Sequence, residues 1–143
     1  MKSKSFSNWQ GTWKEGKGTL STQTDTLKEA PYSFSSRFEG TPGGNPEELL
    51  GVALAGCFNQ AIANNFGMNK LEAESIQTVV EIDLAYGEDS PSPAIKTVHI
   101  TVAAKVPNAT EEVFQQCAKR ASTNCSIAKI LKLECSLTAT LLS

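Results

Sequence analysis

The side chains that could carry chemistry in this chain are few: four cysteines, one histidine and two arginines. Serine and cysteine hydrolases normally use a histidine as general base, so any such mechanism must pass through His99. The cysteines, at positions 57, 117, 125 and 135, form no Cys-x-x-Cys pair, and one histidine adds little to them. We therefore expect no metal and no cofactor, and the chemistry left open is that of a reactive thiol.

Composition excludes several partners. Thirteen basic and fifteen acidic side chains are scattered along 143 residues, with a formal net charge of −2, so nucleic acid is not an expected partner. No apolar stretch approaches the roughly 18 residues of a membrane span, and the first residues resemble no secretory signal. We expect a cytoplasmic protein, whose cysteines are reduced core residues or catalytic groups rather than structural disulfides.

The helices and strands that must position these residues are predicted to form one α+β domain spanning residues 1–143. Residues 1–40 predict a β-meander with strands at 7–13, 18–22 and 32–38. Residues 75–143 predict two strands (75–86 and 95–106, joined by a turn at 88–93), a helix at 110–121, a short helix and a final strand at 133–141. The order βββ-α-ββ-αα-β indicates antiparallel sheets, with His99 on the polar face of its strand.

Between these parts lies the strongest signal, a central helix over residues 45–67. Asn45 is a good N-cap, Pro46 suits the first helical position, and Gly67 can close the helix. Two adjacent apolar rows cover most of the helix circumference, which predicts a helix buried in the middle of the protein. Cys57 lies at its centre, so we expect this thiol inside the protein or at a buried subunit contact.

The four cysteines have different surroundings. Cys117 and Cys135 are in phase with apolar neighbours, which favours packed core thiols. Cys125 follows Asn124, a plausible N-cap, and so stands in the first turn of a helix where N–H groups stabilise a thiolate. Cys57 is either an inert core cysteine or, if a fixed cation stands over it, a reactive one.

Only an arginine can supply that cation in permanently charged form. Arg120 lies near the end of a helix, where a solvated basic residue is the simpler interpretation. Arg37 lies among aromatic residues just before the central helix, where it is either a surface charge or the cation in question. Residue types alone leave both alternatives open.

The run RFEGTPGGNPEELLGVALAGCFNQAI, with six matching residues before it and Asn124-Cys125 after it, closely resembles the osmotically inducible protein C (OsmC) and organic hydroperoxide resistance (Ohr) family. The matching residues are Trp9, Gly11, Lys17, Gly18, Ser21 and Thr22. The position of Arg37 resembles the osmotically inducible branch. The resemblance implies an OsmC-like fold in an intertwined homodimer, with antiparallel sheets wrapped around long central helices.

The resemblance also implies a function, that of a thiol-dependent peroxidase. Cys57 would be the peroxidatic thiol and Cys125 the resolving thiol, with Arg37 holding the thiolate and Glu47 pairing with the arginine. The implied partners are an organic hydroperoxide and a thiol reductant such as a lipoyl-protein or another dithiol. Two residues depart from the family pattern: Ser126 stands where a proline often follows the second cysteine, and Leu54 replaces a histidine.

An apolar pocket built from Leu50, Leu54 and Phe58 would favour alkyl or lipid hydroperoxides over hydrogen peroxide. The alternative function is a redox-inert binding protein that holds a lipid-like ligand in the same cleft, with Cys57 merely packed. A cysteine hydrolase is a weaker third alternative, since His99 faces away from the apolar strand face.

The spacing of Glu47 and Cys57 carries a geometric prediction. Ten residues separate them, which is about 15 Å along a straight helix and about 80° around it. Arg37 could hardly touch both within one chain unless the helix bends. Two such helices packed antiparallel about a two-fold axis would bring Glu47 of one chain towards Cys57 of the other, so we expect a site shared by two subunits.

Overall fold

The computed structural model describes residues 1–87 and 91–143. By internal contacts, these residues divide into two compact units, Met1–Leu49 and Leu50–Ser143. The turn predicted at residues 88–93 begins outside the described residues, and the single-domain organisation stays a prediction. Within the described ranges, no helix is both long and apolar enough to cross a membrane.

The first unit contains the predicted meander. Strands β1 (Ser5–Gln10), β2 (Lys17–Thr22) and β3 (Ala30–Ser33) pair antiparallel in that order. Gly18 lies between Trp9 and Tyr32 on its two neighbouring strands, and those two rings approach to 5.2 Å between centroids. A side chain at Gly18 would collide with both rings, so this strand position needs glycine.

The strand predicted over residues 32–38 is wrong beyond Ser33, because helix α1 (Phe34–Phe38) occupies the remainder. A capping box begins this helix: the Ser36 N–H donates to the Ser33 hydroxyl at 3.1 Å, and the Ser33 N–H donates to the Ser36 hydroxyl at 2.9 Å. Phe34 and Phe38, four residues apart, place their ring centroids 5.0 Å apart. Local capping therefore overrides the strand preference of this aromatic segment.

Helix α2 (Pro46–Met68) is the predicted central helix and begins in the first unit. Its start follows the prediction, since the Asn45 side chain accepts hydrogen bonds from the N–H groups of Glu47 and Glu48 at 2.9 and 3.2 Å. The two glutamates also place negative charge at the positive end of the helix dipole.

The end of α2 differs from the prediction, because Gly67 remains helical. Lys70 instead takes the left-handed conformation (φ +57°). The Lys70 N–H donates to the Gly67 carbonyl at 2.9 Å, and the Leu71 N–H donates to the Phe66 carbonyl at 3.0 Å. These two bonds form a Schellman motif that closes the helix after Met68.

The second unit contains a three-stranded sheet in the order β4-β5-β6, made of β4 (Ser75–Tyr86), β5 (Pro93–Lys105) and β6 (Cys135–Leu142). Strands β4 and β5 pair antiparallel as predicted. The antiparallel prediction is wrong for β6, which runs parallel to β5. A crossover through helices α3 (Glu111–Asn124) and α4 (Ser126–Ile130) separates the two strands, and such a connection allows parallel pairing.

One face of α2 forms the core of the second unit with the inner face of this sheet and with α3. Phe66 of α2 stacks on Phe114 of α3 with ring centroids 6.0 Å apart. Tyr86, which the strand pattern places with the apolar residues, is instead 56% exposed at the end of β4. The apolar side chains almost fully buried here include Leu54, Phe58, Ile62, Val98, Ile100, Val102, Ala104, Val106, Ala118 and Ala121.

The opposite face of α2 is rich in small and apolar residues but is exposed in the single chain. Val52 and Met68 are 65% and 61% exposed, and an added Cβ at Gly56 or Gly67 would meet no atom within 4 Å. Within the single chain the predicted burial is therefore confirmed for one face, and burial of the other face at a subunit contact stays a prediction. The exposed side chains on this face are Val52, Ala53, Gln60, Ala63, Asn64 and Met68.

Candidate active site

Two cysteines that are distant in sequence meet in the second unit. Cys57 lies in the middle of α2 and is half-buried, while Cys125 lies between α3 and α4 and is 2% exposed. The two thiols interact as hydrogen-bond partners, and both are free rather than disulfide-bonded. The structure thus brings together the two cysteines to which the sequence resemblance gives reactive roles.

The two thiols differ in acidity. Burial raises the pKa of Cys57, but hydrogen bonds from the Cys125 thiol, the Ile127 N–H, and the hydroxyl and N–H of Ser126 outweigh it and leave that pKa lowered. Burial raises the pKa of Cys125, and its interactions with Cys57 raise it further. Cys57 therefore ionises first, and Cys125 keeps the shared proton.

The N–H groups at the start of α4 act on both thiols, Cys125 as predicted and Cys57 in addition. Asn124 is the last residue of α3 rather than the N-cap of α4, because Cys125 has extended backbone angles (φ −62°, ψ 137°) and is itself the N-cap. The Cys125 sulfur accepts a hydrogen bond from the Ala128 N–H at 3.3 Å. The Ile127 N–H acts on both sulfurs, and the Ser126 N–H acts on Cys57.

Arg37 and Glu47 form an ion pair within the first unit. The Arg37 Nε donates to both Glu47 carboxylate oxygens at 3.2 Å, and the terminal Nη2 donates to Oε1. The Glu47 side chain is 10% exposed, so the pair is largely shielded from solvent on its acidic side. The Arg37 guanidinium also lies 5.1 Å from the centroid of the Phe38 ring.

This bidentate pairing brings together the arginine and glutamate that the resemblance couples. Cys57 belongs to the other compact unit, so the predicted contact between the guanidinium and the thiolate stays a prediction. Arg120, on α3, lowers the pKa of Cys117 by its charge, although burial dominates and raises that pKa overall.

The side chains predicted to line a substrate pocket differ in exposure, and the pocket itself stays a prediction. Leu54 and Phe58 have no exposed surface and pack in the core, while Leu50 is half-buried. The apolar pattern of α2 identified these residues as buried correctly, but it could not tell core packing from a pocket wall.

The first unit contains an aromatic cavity that was not predicted from the sequence. It has a volume of about 210 Å³ and includes Arg37 in its wall. The signal lies in the spacing of Phe34 and Phe38, which are one turn apart, and so close enough for their rings to touch, only if this segment is helical. The aromatic residues of the wall are Trp9, Trp13, Tyr32, Phe34 and Phe38.

The remaining candidate residues lie in structural positions. Cys117 is 4% exposed in the core, and Cys135 is half-buried on β6, where burial raises its pKa. His99 places Nδ1 at 2.6 Å from the Ser136 hydroxyl and Nε2 at 3.1 Å from the Thr138 hydroxyl. These contacts hold the ring on the sheet face opposite the core, which argues against a hydrolase base at this position.

Within residues 1–87 and 91–143, no cluster of three or more histidine, cysteine, aspartate or glutamate side chains is arranged to hold a metal ion. The chemistry that the described residues assemble is that of two neighbouring thiols, of which Cys57 has a lowered pKa and Cys125 a raised one.

Comparison with known proteins adds a family context to this geometry. Residues 38–140 match the sequence profile described as OsmC-like protein. The chain is 34% identical over 134 residues to the peroxiredoxin OsmC of Escherichia coli K12, covering 94% of this chain and 92% of the relative.

Solved structures share the fold at lower identity. The OsmC-like protein of Mycoplasma pneumoniae superposes with a TM-score of 0.75 at 12% identity, covering 100% of this chain and 99% of the other. The organic hydroperoxide resistance protein OhrB of Bacillus subtilis gives a TM-score of 0.68 at 16% identity, covering 97% and 98%. These structural matches establish the fold, which is OsmC-like.

Proposed function

Because this chain belongs to the OsmC-like protein family, we propose that it is a thiol-dependent peroxidase that reduces organic hydroperoxides, and hydrogen peroxide less efficiently. The observation that carries the proposal is the Cys57–Cys125 pair, in which one thiol has a lowered pKa and its partner a raised one. The names of the relatives, a peroxiredoxin and an organic hydroperoxide resistance protein, support the same reaction class.

In the first step, the Cys57 thiolate attacks the distal oxygen of the hydroperoxide. The O–O bond breaks, Cys57 becomes a sulfenic acid, and the leaving alkoxide takes a proton to become an alcohol. The lowered pKa raises the thiolate fraction of Cys57 without a histidine base. Arg37, oriented by Glu47, is the proposed cation over the reacting sulfur.

In the second step, Cys125 attacks the Cys57 sulfenic acid, forming a Cys57–Cys125 disulfide and releasing water. The negative charge and hydrogen bonding of Cys57 contribute to the raised pKa of Cys125. Oxidation of Cys57 removes that charge, so Cys125 loses its proton more readily once it is needed as a nucleophile. A dithiol reductant, such as a lipoyl-protein of the cytoplasm, would then restore both thiols.

The aromatic cavity beside Arg37 favours an organic substrate. Its wall is built mainly from tryptophan, tyrosine and phenylalanine rings, which bind alkyl or aryl groups better than they bind the small polar hydrogen peroxide. We therefore assign the preference for organic hydroperoxides to this cavity rather than to Leu54 and Phe58.

The proposed assembly is a homodimer, and the exposed apolar face of α2 supports it. Val52 and Met68 are exposed at the two edges of this face, and Gly56 and Gly67 between them leave room for a second backbone to approach. Antiparallel packing of two α2 helices across a two-fold axis would cover this face in both chains.

The test of the peroxidase proposal is intact-mass measurement before and after one equivalent of cumene hydroperoxide. We expect loss of two hydrogen atoms per chain, because two of the four thiols form one disulfide. Peptide mapping should connect Cys57 to Cys125 and find Cys117 and Cys135 as free thiols. A protein that keeps all four thiols would contradict the proposal and favour a redox-inert binding protein.

A site shared between subunits predicts the behaviour of mixed dimers. A dimer with Cys57→Ser in one chain and Glu47→Ala in the other should retain about half of the wild-type turnover, because one site carries both lesions and the other carries none. The mixed dimer can be isolated with two different affinity tags, and its peroxide consumption measured against both mutant homodimers.

The reciprocal dimer is the control, with both substitutions in one chain and none in the other. Shared sites would then carry one lesion each, so activity should fall well below half. Retention of half the activity in the reciprocal dimer, with loss in the first, would mean that each site lies within one chain.

A further inference from the structure

Ser126 contacts the thiol that the proposed mechanism uses first. Its Oγ lies 3.5 Å from the Cys57 Sγ, although 69 positions separate the two residues in sequence. The short distance depends on the break between α3 and α4, because Cys125 ends one helix and places Ser126 at the first position of the next.

We propose that Ser126 is a positioning residue for peroxide reduction, its hydroxyl donating a hydrogen bond to the Cys57 thiolate. The inference rests on the proposed function of Cys57. A thiolate carries no proton, so in the ionised state the hydroxyl must be the donor in this contact. Such a bond favours the charged form of the sulfur and restricts the direction in which its remaining lone pairs point.

The surroundings of Cys57 make this donor significant. In the described part of the second unit, the groups that act on the thiol include the Cys125 side chain, the hydroxyl and N–H of Ser126, and the Ile127 N–H. Cys125 is consumed in the second step, whereas Ser126 remains. Its hydroxyl can therefore stabilise the thiolate that must be regenerated when the disulfide is reduced.

A single neutral hydroxyl also suits a thiol that must remain nucleophilic. Each fall in thiol pKa raises the thiolate fraction but lowers the reactivity of each thiolate, with a Brønsted coefficient of about 0.4–0.5. One hydrogen bond from a hydroxyl lowers the thiol pKa only moderately, so it raises the thiolate fraction without a large loss of thiolate reactivity.

The test is the pH dependence of Cys57 alkylation by iodoacetamide, resolved by peptide mapping in wild type, Ser126→Ala and Ser126→Thr. We expect Ser126→Ala to move the alkylation midpoint up by about 0.5–1 pH unit and to slow alkylation near neutral pH about threefold. Ser126→Thr should restore the wild-type profile, because threonine keeps the hydroxyl. At alkaline pH, where the thiol is ionised in all variants, Ser126→Ala should react about 1.5- to 3-fold faster than wild type, because the thiolate of higher pKa is the more nucleophilic one.

Ser136→Ala is the matched control, since it removes a hydroxyl that contacts His99 rather than Cys57. Its profile should coincide with that of wild type. Ser126 is exposed at the start of α4, so alanine there should leave the far-ultraviolet circular dichroism spectrum unchanged.

The positioning role of Ser126 and the proposed peroxidase function can be contradicted by different results. A Ser126→Ala profile that coincides with wild type, in a protein that still consumes cumene hydroperoxide, would overturn the role of Ser126 alone. A wild-type protein that consumes no hydroperoxide would overturn the peroxidase function, and with it the role of Ser126 in that reaction.

Discussion

Replacement of Cys57 by serine is expected to abolish hydroperoxide consumption, with turnover falling on the order of 10³-fold or more. A hydroxyl is far less acidic than a thiol, so the environment that lowers the pKa of Cys57 cannot ionise a serine there. The measurement is the steady-state consumption of cumene hydroperoxide with dithiothreitol as reductant. Because sulfur and oxygen side chains are similar in size, the fold should survive the change.

The matched control is Cys117→Ala, which removes a core thiol. Cys117 is 4% exposed and its pKa is raised by burial, so it is not expected to react. This variant should lose about 1–2 kcal/mol of unfolding free energy and keep its turnover. Multiple turnovers by Cys57→Ser, or loss of turnover in Cys117→Ala with the fold intact, would show that the cysteines have been assigned wrongly.

Replacement of Cys125 by serine should leave the first oxidation possible and block recycling through the disulfide. One equivalent of hydroperoxide should still be consumed, leaving a Cys57 sulfenic acid that dimedone can trap. Steady-state turnover with a dithiol should then fall on the order of 100-fold, because the protein no longer forms the disulfide that the reductant attacks. The trapped adduct can be located by mass spectrometry.

The single-turnover rate of a Cys125→Ala variant, which removes the hydrogen-bond donor that serine would keep, gives a second prediction. Cys125 is one of the groups that lower the pKa of Cys57, so the rate should fall more near neutral pH than at alkaline pH. Cys135→Ala is the control, because its thiol lies on β6 and its pKa is raised by burial. Full steady-state turnover by Cys125→Ser would mean that Cys125 does not resolve the sulfenic acid.

The beginning of α2 was predictable because its determinants are local. Asn45, Pro46 and the two following glutamates act within one helical turn, and the structure uses them as expected. The end of the helix was less predictable, since either Gly67 or Lys70 could take the terminal position. Lys70 takes it because two backbone hydrogen bonds are completed there.

Features that depend on distant residues could not be derived from local patterns. The alternation in β6 predicts a strand, but alternation is the same for parallel and antiparallel pairing, and the neighbour of β6 depends on how the α3–α4 crossover returns. The apolar circumference of α2 likewise could not distinguish the face that packs on Val98 and Ile100 from the exposed face.

The residues of the candidate site could be predicted from the sequence, but what each residue does there could be predicted less well. Cys57, Cys125, Arg37 and Glu47 were all named from sequence, and the structure pairs them as Cys57 with Cys125 and Arg37 with Glu47. Ser126 first appeared only as a departure from the family pattern. Its contact with Cys57 depends on the backbone break at Cys125, which interrupts a segment that otherwise favours helix.

The aromatic cavity has a consequence for spectroscopy. Trp9 and Trp13 are the only two tryptophans in the chain, and both line this cavity in the first unit. Intrinsic tryptophan emission therefore reports on Met1–Leu49, whereas all four cysteines belong to Leu50–Ser143. An unfolding curve followed by fluorescence needs a second probe, such as circular dichroism at 222 nm, before one transition can be attributed to both units.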